Sequence, residues 1–209
     1  MKWKPSFRFY KIAYCITRVL IGLIYGFEVK GRENIPDGAA MVCSNHSSMK
    51  DPLFIAYAFG LKCYLHFIAK IELFKIPVVA LVVAKLGAIS VDRNMTDIAT
   101  IKNTLAYFKN NEKVAIFPEG TRASEAEYIA AKNGAVKLAE RAGVPLVPVY
   151  VPRKKKLFRK VSVVIGDPYY IEKQNEKRST DEYTLLVEQL MRKIETLNPA
   201  ARSAAEVES

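Results

Sequence analysis

The chain has 209 residues, half of them hydrophobic, and a formal net charge of +11. That suits one sizeable domain with a real core rather than two small ones, and the basic excess fits an anionic partner: a membrane surface, a phosphorylated molecule or nucleic acid. Three scattered cysteines, Cys15, Cys43 and Cys63, form neither a close pair nor a metal-ligand spacing, which excludes a disulfide scaffold and fits reduced thiols in a cytosolic setting.

In chain order, residues 1–25 stand apart from the rest. If 4–25 is largely helical, Lys4, Arg8, Lys11 and Arg18 fall on one stripe, with Phe9, Ile16, Leu20 and Leu23 roughly opposite. A helix lying in a membrane interface has this pattern, and so does a terminal helix packed on its own domain. Neither "VLIGLIYGF" (19–27) nor "IPVVALVVA" (76–84) approaches the roughly 18 apolar residues of a spanning helix. Arg18 interrupts the first apolar stretch and no small-residue cleavage site follows, so the expectation is an unprocessed protein at the cytoplasmic face of the membrane.

From residue 26 to 198 short β-rich runs alternate with helical stretches. Strands are expected at 26–30, 39–44, 62–68, 87–91, 113–117, 144–150 and 160–166, and helices at 52–60, 71–86, 96–110, 129–142 and 180–197. That alternation predicts an α/β domain whose largely parallel or mixed sheet is covered by helices on both faces. Ligands of such sheets bind beyond the carboxyl ends of the strands. Residues 199–209 read as a loose tail. The run "RKKKLFRK" (153–160) holds six cations in eight residues; it reads as a solvated loop or as a second contact with anionic lipid.

The stretch "CSNHSSMKDPLF" (43–54) holds His46 and Asp51. Residues five apart point about 140° away from each other on a regular helix, so the two could meet only across a loop. Asn45, Ser47 and Ser48 supply the turn formers, and Asp51-Pro52 fits a helix start. A carboxylate beside an imidazole fixes its tautomer and leaves the other nitrogen to accept a proton, which makes a general base. The alternative is a capping aspartate beside an ordinary loop histidine. No G-x-S-x-G surrounds Ser44, Ser47 or Ser48 to support a serine nucleophile. The other histidine, His66, lies mid-strand and gives no support to a metal site.

The run "VAIFPEGTRAS" ends a strand and turns through Glu119 and Gly120 to Thr121 and Arg122; "GAISVDR" ends another at Arg93. A guanidinium can grip a phosphate with two bonds. Singly, each arginine reads as a surface ion-pair partner; both at strand ends beside His46 favour a phosphate site. Nucleotide-binding motifs are absent from the sequence, as are the signatures of nucleic-acid-binding folds.

These blocks together resemble the glycerolipid acyltransferases, in particular the branch that acylates 1-acylglycerol 3-phosphate (lysophosphatidic acid). "NHSSMKD", "AKIELFKIPVVALVVAKLGAISVDR", "FPEGTR" and "GVPLVPV" stand in the family's order from about residue 27 to 170. The resemblance implies an enzyme of phospholipid biosynthesis that moves a fatty acyl group from a thioester of coenzyme A or acyl carrier protein to the sn-2 hydroxyl, giving phosphatidic acid. It implies direct transfer, with His46 as general base and Asp51 as its orienting partner. Arg93, Glu119, Gly120, Thr121 and Arg122 would form the acceptor-phosphate site, with Lys70 a helper. No metal and no cofactor are expected, and no nucleic-acid partner. Two departures, Met49-Lys50 in the first block and "AEYIAAKNGAVKLA" after the third, bear on substrate range.

Overall fold

The computed structural model describes residues 4–92, 97–120, 131–174 and 176–199. Seven strands form one sheet: β1 (Gly26–Lys30), β2 (Ala40–Ser44), β3 (Leu65–Lys70), β4 (Ile89–Val91), β5 (Lys113–Ile116), β6 (Leu146–Tyr150) and β7 (Lys160–Ile165). Their order is β1-β7-β6-β2-β5-β3-β4. All neighbours are parallel except β6 and β7, which pair Val149 with Ile165 and Tyr150 with Val164 in antiparallel fashion. The expected mixed α/β architecture is thus what the chain adopts.

Side-chain alternation assigns the two faces. In β2, Met41 and Cys43 join the core under α4 (Ile98–Lys109), α5 (Gly134–Ala142) and α6 (Thr180–Thr196), through Phe108, Val136, Leu190 and Ile194. Ala40 and Val42 point the other way, into a cluster with Phe54, Ile55 and Tyr57 of α2 (Asp51–Phe59). Every residue of β2 and β6 is buried, as strands covered on both faces require. Full burial of Phe54 or Ile55 contributes on the order of 1.5–3 kcal/mol each.

Three elements depart from the expectation by more than two residues. The helix expected over 71–86 is split into a 3-10 turn, Ile71–Lys75, and α3 (Pro77–Lys85). Ile76 is extended at φ −89° and ψ 113°, because the residue before a proline avoids the α region. The helix expected from 129 begins at Gly134; Lys132 N–H is bonded to Pro118 O instead, 2.8 Å away. The strand expected at 62–68 runs from Leu65 to Lys70, since Cys63 N–H closes a turn on Gly60 O.

The N-terminal helix α1 (Phe7–Gly22) is capped by Ser6, whose Oγ accepts from Phe9 N–H. It packs on the domain through Tyr10, Tyr14 and Ile21, with Tyr10 against Tyr64 and Tyr14 edge-on to Tyr57. The opposite face leaves Ile12, Ile16, Val19, Leu20 and Leu23 exposed. Of the expected cationic stripe, Lys4 precedes the helix, while Arg8, Lys11 and Arg18 lie within it, Arg18 over the rings of Phe27 and Tyr57. Two faces therefore coexist, one packed and one apolar toward solvent. Among the described residues no helix is long and apolar enough to cross a membrane.

Candidate active site

β2 ends at Ser44 and the chain turns through Asn45 to Ser48 before α2 begins. The Asn45 side chain is fully buried and takes the place of a missing ladder rung. Its Nδ2 donates to Val151 O at 2.8 Å, and its Oδ1 accepts from Val151 N–H at 2.9 Å. That joins the end of β2 to the end of β6 and fixes where the next residue, His46, leaves the sheet.

His46 and Asp51 do meet across the loop: Nδ1 lies 3.0 Å from Asp51 Oδ2. The same oxygen accepts the N–H groups of Ser47 and Ser48, both at 2.7 Å. The expected helix cap is not what Asp51 provides: the N-cap is Lys50, without a side-chain bond, and Asp51, the first residue of α2, turns its carboxylate back to tie the loop and hold the imidazole. With a carboxylate as acceptor the ring proton sits on Nδ1, and Nε2 keeps its lone pair. The imidazole lies on the Phe117 ring, centroids 4.0 Å apart and planes 20° apart. Its side chain is 15% exposed, enough for a reactant to reach one edge.

A layer of charge behind this pair comes from the loop that follows β6. Lys155 Nζ is 2.7 Å from Asp51 Oδ1, an ion pair rather than an aligned hydrogen bond, and it donates to Pro152 O and Ser47 Oγ. Burial works against the Asp51 charge. The His46 bond, the Lys155 ammonium and the Ser47 N–H outweigh it and leave the carboxyl below its ordinary 3.8. Arg153 bridges Glu119 and Glu195 of α6, while Glu119 Oε2 accepts the backbone N–H of His46 at 2.9 Å. Glu119 thus clamps the histidine's backbone, and Asp51 its ring.

The parallel register puts the carboxyl ends of β2 to β6 along one edge. Lys70 ends β3 there and is exposed. Gly120 is buried, with φ +69°, a left-handed conformation that favours glycine. Arg93, Thr121 and Arg122 lie outside the described residues. His66 is elsewhere, at the amino-terminal part of β3.

Asn45, Phe117, Arg153 and Lys155 were not singled out by sequence. The signal for the last two is a period of two: Arg153 and Lys155 are drawn into the site, while Lys154 and Lys156 between and after them are exposed. Among the described residues no three His, Cys, Asp or Glu side chains gather as a metal site would need.

A family model described as Acyltransferase matches residues 26–152. The 1-acyl-sn-glycerol-3-phosphate acyltransferase of Bacillus subtilis (strain 168) is 33% identical over 168 residues, covering 77% of this chain and 82% of its own. The protein of the same name from Borreliella burgdorferi is 29% identical over 181 residues, 81% of this chain and 72% of its own. Among solved structures, the 1-acyl-sn-glycerophosphate (LPA) acyltransferase PlsC from Thermotoga maritima matches with a TM-score of 0.63 at 28% identity. That match covers 92% of this chain and 78% of the other.

Proposed function

We propose that this chain, which belongs to the acyltransferase family, moves a fatty acyl group from an acyl thioester to the sn-2 hydroxyl of 1-acylglycerol 3-phosphate, giving phosphatidic acid. The observation that carries the mechanism is His46, held at Nδ1 by Asp51 with its reachable edge at the carboxyl ends of the strands. Nε2 takes the hydroxyl proton as the acceptor oxygen attacks the thioester carbonyl. The C–S bond breaks, and the departing thiolate of coenzyme A or acyl carrier protein regains a proton. Transfer is direct, in a ternary complex. Among the described residues no serine hydroxyl bonds to His46, and Ser44 and Ser47 spend their hydroxyl protons on backbone carbonyls.

The acceptor's phosphate is held by Arg93 and Arg122, with Lys70 and the Gly120–Thr121 backbone beside them. Glu119 serves that site by fixing the loop from which His46 projects. Binding energy from the remote phosphate then places the hydroxyl against the base. Residues 1–25 form the membrane-associating segment, with the exposed apolar face of α1 on the bilayer; 26–198 is the acyltransferase domain and 199–209 a tail outside it. The protein works as a peripheral enzyme at the cytoplasmic face.

The test offers purified protein 1-acylglycerol 3-phosphate, other lysophospholipids and glycerol 3-phosphate, each with acyl-coenzyme A and acyl carrier protein thioesters, and reads products by mass spectrometry. Phosphatidic acid formed only when 1-acylglycerol 3-phosphate is present supports the reading. Thioester consumption independent of acceptor would make the protein a thioesterase, and an acyl-serine trapped with donor alone would overturn direct transfer.

A further inference from the structure

The loop between β6 and β7 has two sides. Its first residues reach inward, Arg153 to Glu119 and Lys155 to Asp51. Two residues further on it presents apolar side chains to solvent: Leu157 is 60% exposed and Phe158 81%. Phe158 has φ +60°, a left-handed conformation that a bulky residue rarely adopts. The observed outlier keeps the ring turned away from the core.

The tip does not hang free. Phe158 N–H donates to Ile24 O at 2.8 Å, which seats it at the end of α1, where Leu23 is 72% exposed and Ile24 is exposed as well. Leu23, Ile24, Leu157 and Phe158 therefore sit at one place, with exposed Lys156, Arg159 and Lys160 beside them. Apolar side chains with bases around them match a bilayer interface, rings in the acyl boundary and cations among the headgroups. The patch also continues along the exposed face of the 16-residue helix, about 24 Å at 1.5 Å per residue. A surface that extended fits a lipid sheet.

We propose that Leu157 and Phe158 insert into an anionic bilayer as a second anchor beside α1. Because the same loop carries Lys155 on its inner side, the anchor holds the His46–Asp51 pair next to the lipid surface. The proposal deepens the reading of a membrane-borne acceptor, but its test needs no acceptor, so the two can fail separately.

The full chain is made with Trp3→Phe, which removes its single tryptophan, and Phe158→Trp. It is then mixed with phosphatidylcholine vesicles with and without phosphatidylglycerol. With the anionic vesicles the indole emission should move to the blue and be quenched by brominated acyl chains. In a second variant, Leu157→Ser with Phe158→Ser, partitioning onto those vesicles should weaken about ten-fold or more, since two large apolar groups lose their burial. Its turnover should fall on vesicle-borne acceptor and hold on a short-chain acceptor dispersed as monomers. An unshifted indole, or unchanged partitioning of the serine variant, overturns the proposal. So does an emission shift with acyl carrier protein and none with vesicles, which would make the loop a protein-docking site.

Discussion

His46 and His66 are the chain's two histidines, and each lies beside a carboxylate. His46 Nδ1 is 3.0 Å from Asp51 Oδ2, and His66 Nε2 is 3.2 Å from Glu112 Oε2. The His66 ring is 1% exposed, its Nδ1 donates to Gly87 O at 2.9 Å, and it stacks on Tyr107 with centroids 3.7 Å apart. Gly87, at φ +76°, is part of that seat: a Cβ there would come within 2.6 Å of His66 Nδ1. With the Nδ1 proton committed, Nε2 would need a second proton to bond Glu112, and the contact is off the line a hydrogen bond requires. Burial pushes the His66 pKa down, against the Gly87 carbonyl and Glu112. A histidine–carboxylate contact is therefore not itself a catalytic device. What distinguishes His46 is a nitrogen left over and a place at the strand ends where a reactant can arrive.

The largest expected contrast comes from removing each ring. His46→Ala should lower turnover by roughly a thousand-fold while the protein still folds. His66→Ala should keep turnover per folded molecule while losing about 3–5 kcal/mol of stability, the usual cost of truncating a buried aromatic ring. Denaturant melts and initial rates on the same preparations check both. A folded but inactive His66→Ala protein would erase the distinction.

Asp51→Asn should cost about a hundred-fold or more in turnover by allowing the wrong tautomer. It also strands the Lys155 ammonium, 4% exposed, at about 3–5 kcal/mol for a buried charge without its partner. Adding Lys155→Met should restore much of the stability and none of the turnover. If Lys155→Met rescued activity as well, the lysine would matter only as a stranded charge.

A smaller effect is expected from the proposed phosphate anchors. Arg122→Ala should lower kcat/KM for the acceptor roughly ten- to hundred-fold, the worth of a charge-assisted contact. Arg122→Lys should lose less, and Arg93→Ala should act similarly but more weakly. Glu112→Gln, beside the other histidine, should leave acceptor kinetics unchanged. Unaltered kinetics in both alanine variants would move the phosphate elsewhere, with Lys70 next to test.

The smallest contrast is in acid stability. Because the folded His66 pKa lies below the ordinary 6.5, unfolding takes up a proton in that range. Its contribution is complete above 6.5 and is lost as pH falls toward the folded value. Asp51, held below 3.8, acts in the same direction in a lower window, its contribution present above 3.8 and lost as pH falls through the folded value. Melts from neutral pH downward should therefore show the first decline weakened in His66→Gln and the second weakened in Asp51→Asn.

The sequence made the His46–Asp51 contact legible because turn formers and Asp51-Pro52 required a loop between two regular elements, and the contact follows from the loop. Strand and helix identities were legible for the same local reason. The partners that fix the site were not. Lys155 and Arg153 sit in a run whose composition describes a solvated segment, and their inward direction depends on β6 lying beside β2, 106 residues away at the Asn45–Val151 bonds. Glu119 stood in a motif that pointed to phosphate, whereas its carboxylate meets a backbone N–H and a guanidinium. Spacing along a chain carries no record of such long-range partners. Arg18 on α1 is similar: helical periodicity placed it with the other cations, and could not show that it lies over the rings of Phe27 and Tyr57, elsewhere in the sequence.

The pairing of β1 with β7 has a consequence for how the protein is made. Among the described residues β1 is hydrogen-bonded to β7 alone, Gly26 opposite Lys160 and Lys30 opposite Val164, so the first strand to leave the ribosome finds its partner only when the last strand has emerged. At ordinary rates of synthesis that interval is on the order of ten seconds. Throughout it α1 can already dock on Tyr57 of α2 and on Tyr64, while β1, the strand that follows it, has nothing to join. The sheet is therefore closed last at its β1–β7 edge, after every strand that leads to His46 and Glu119 has been made.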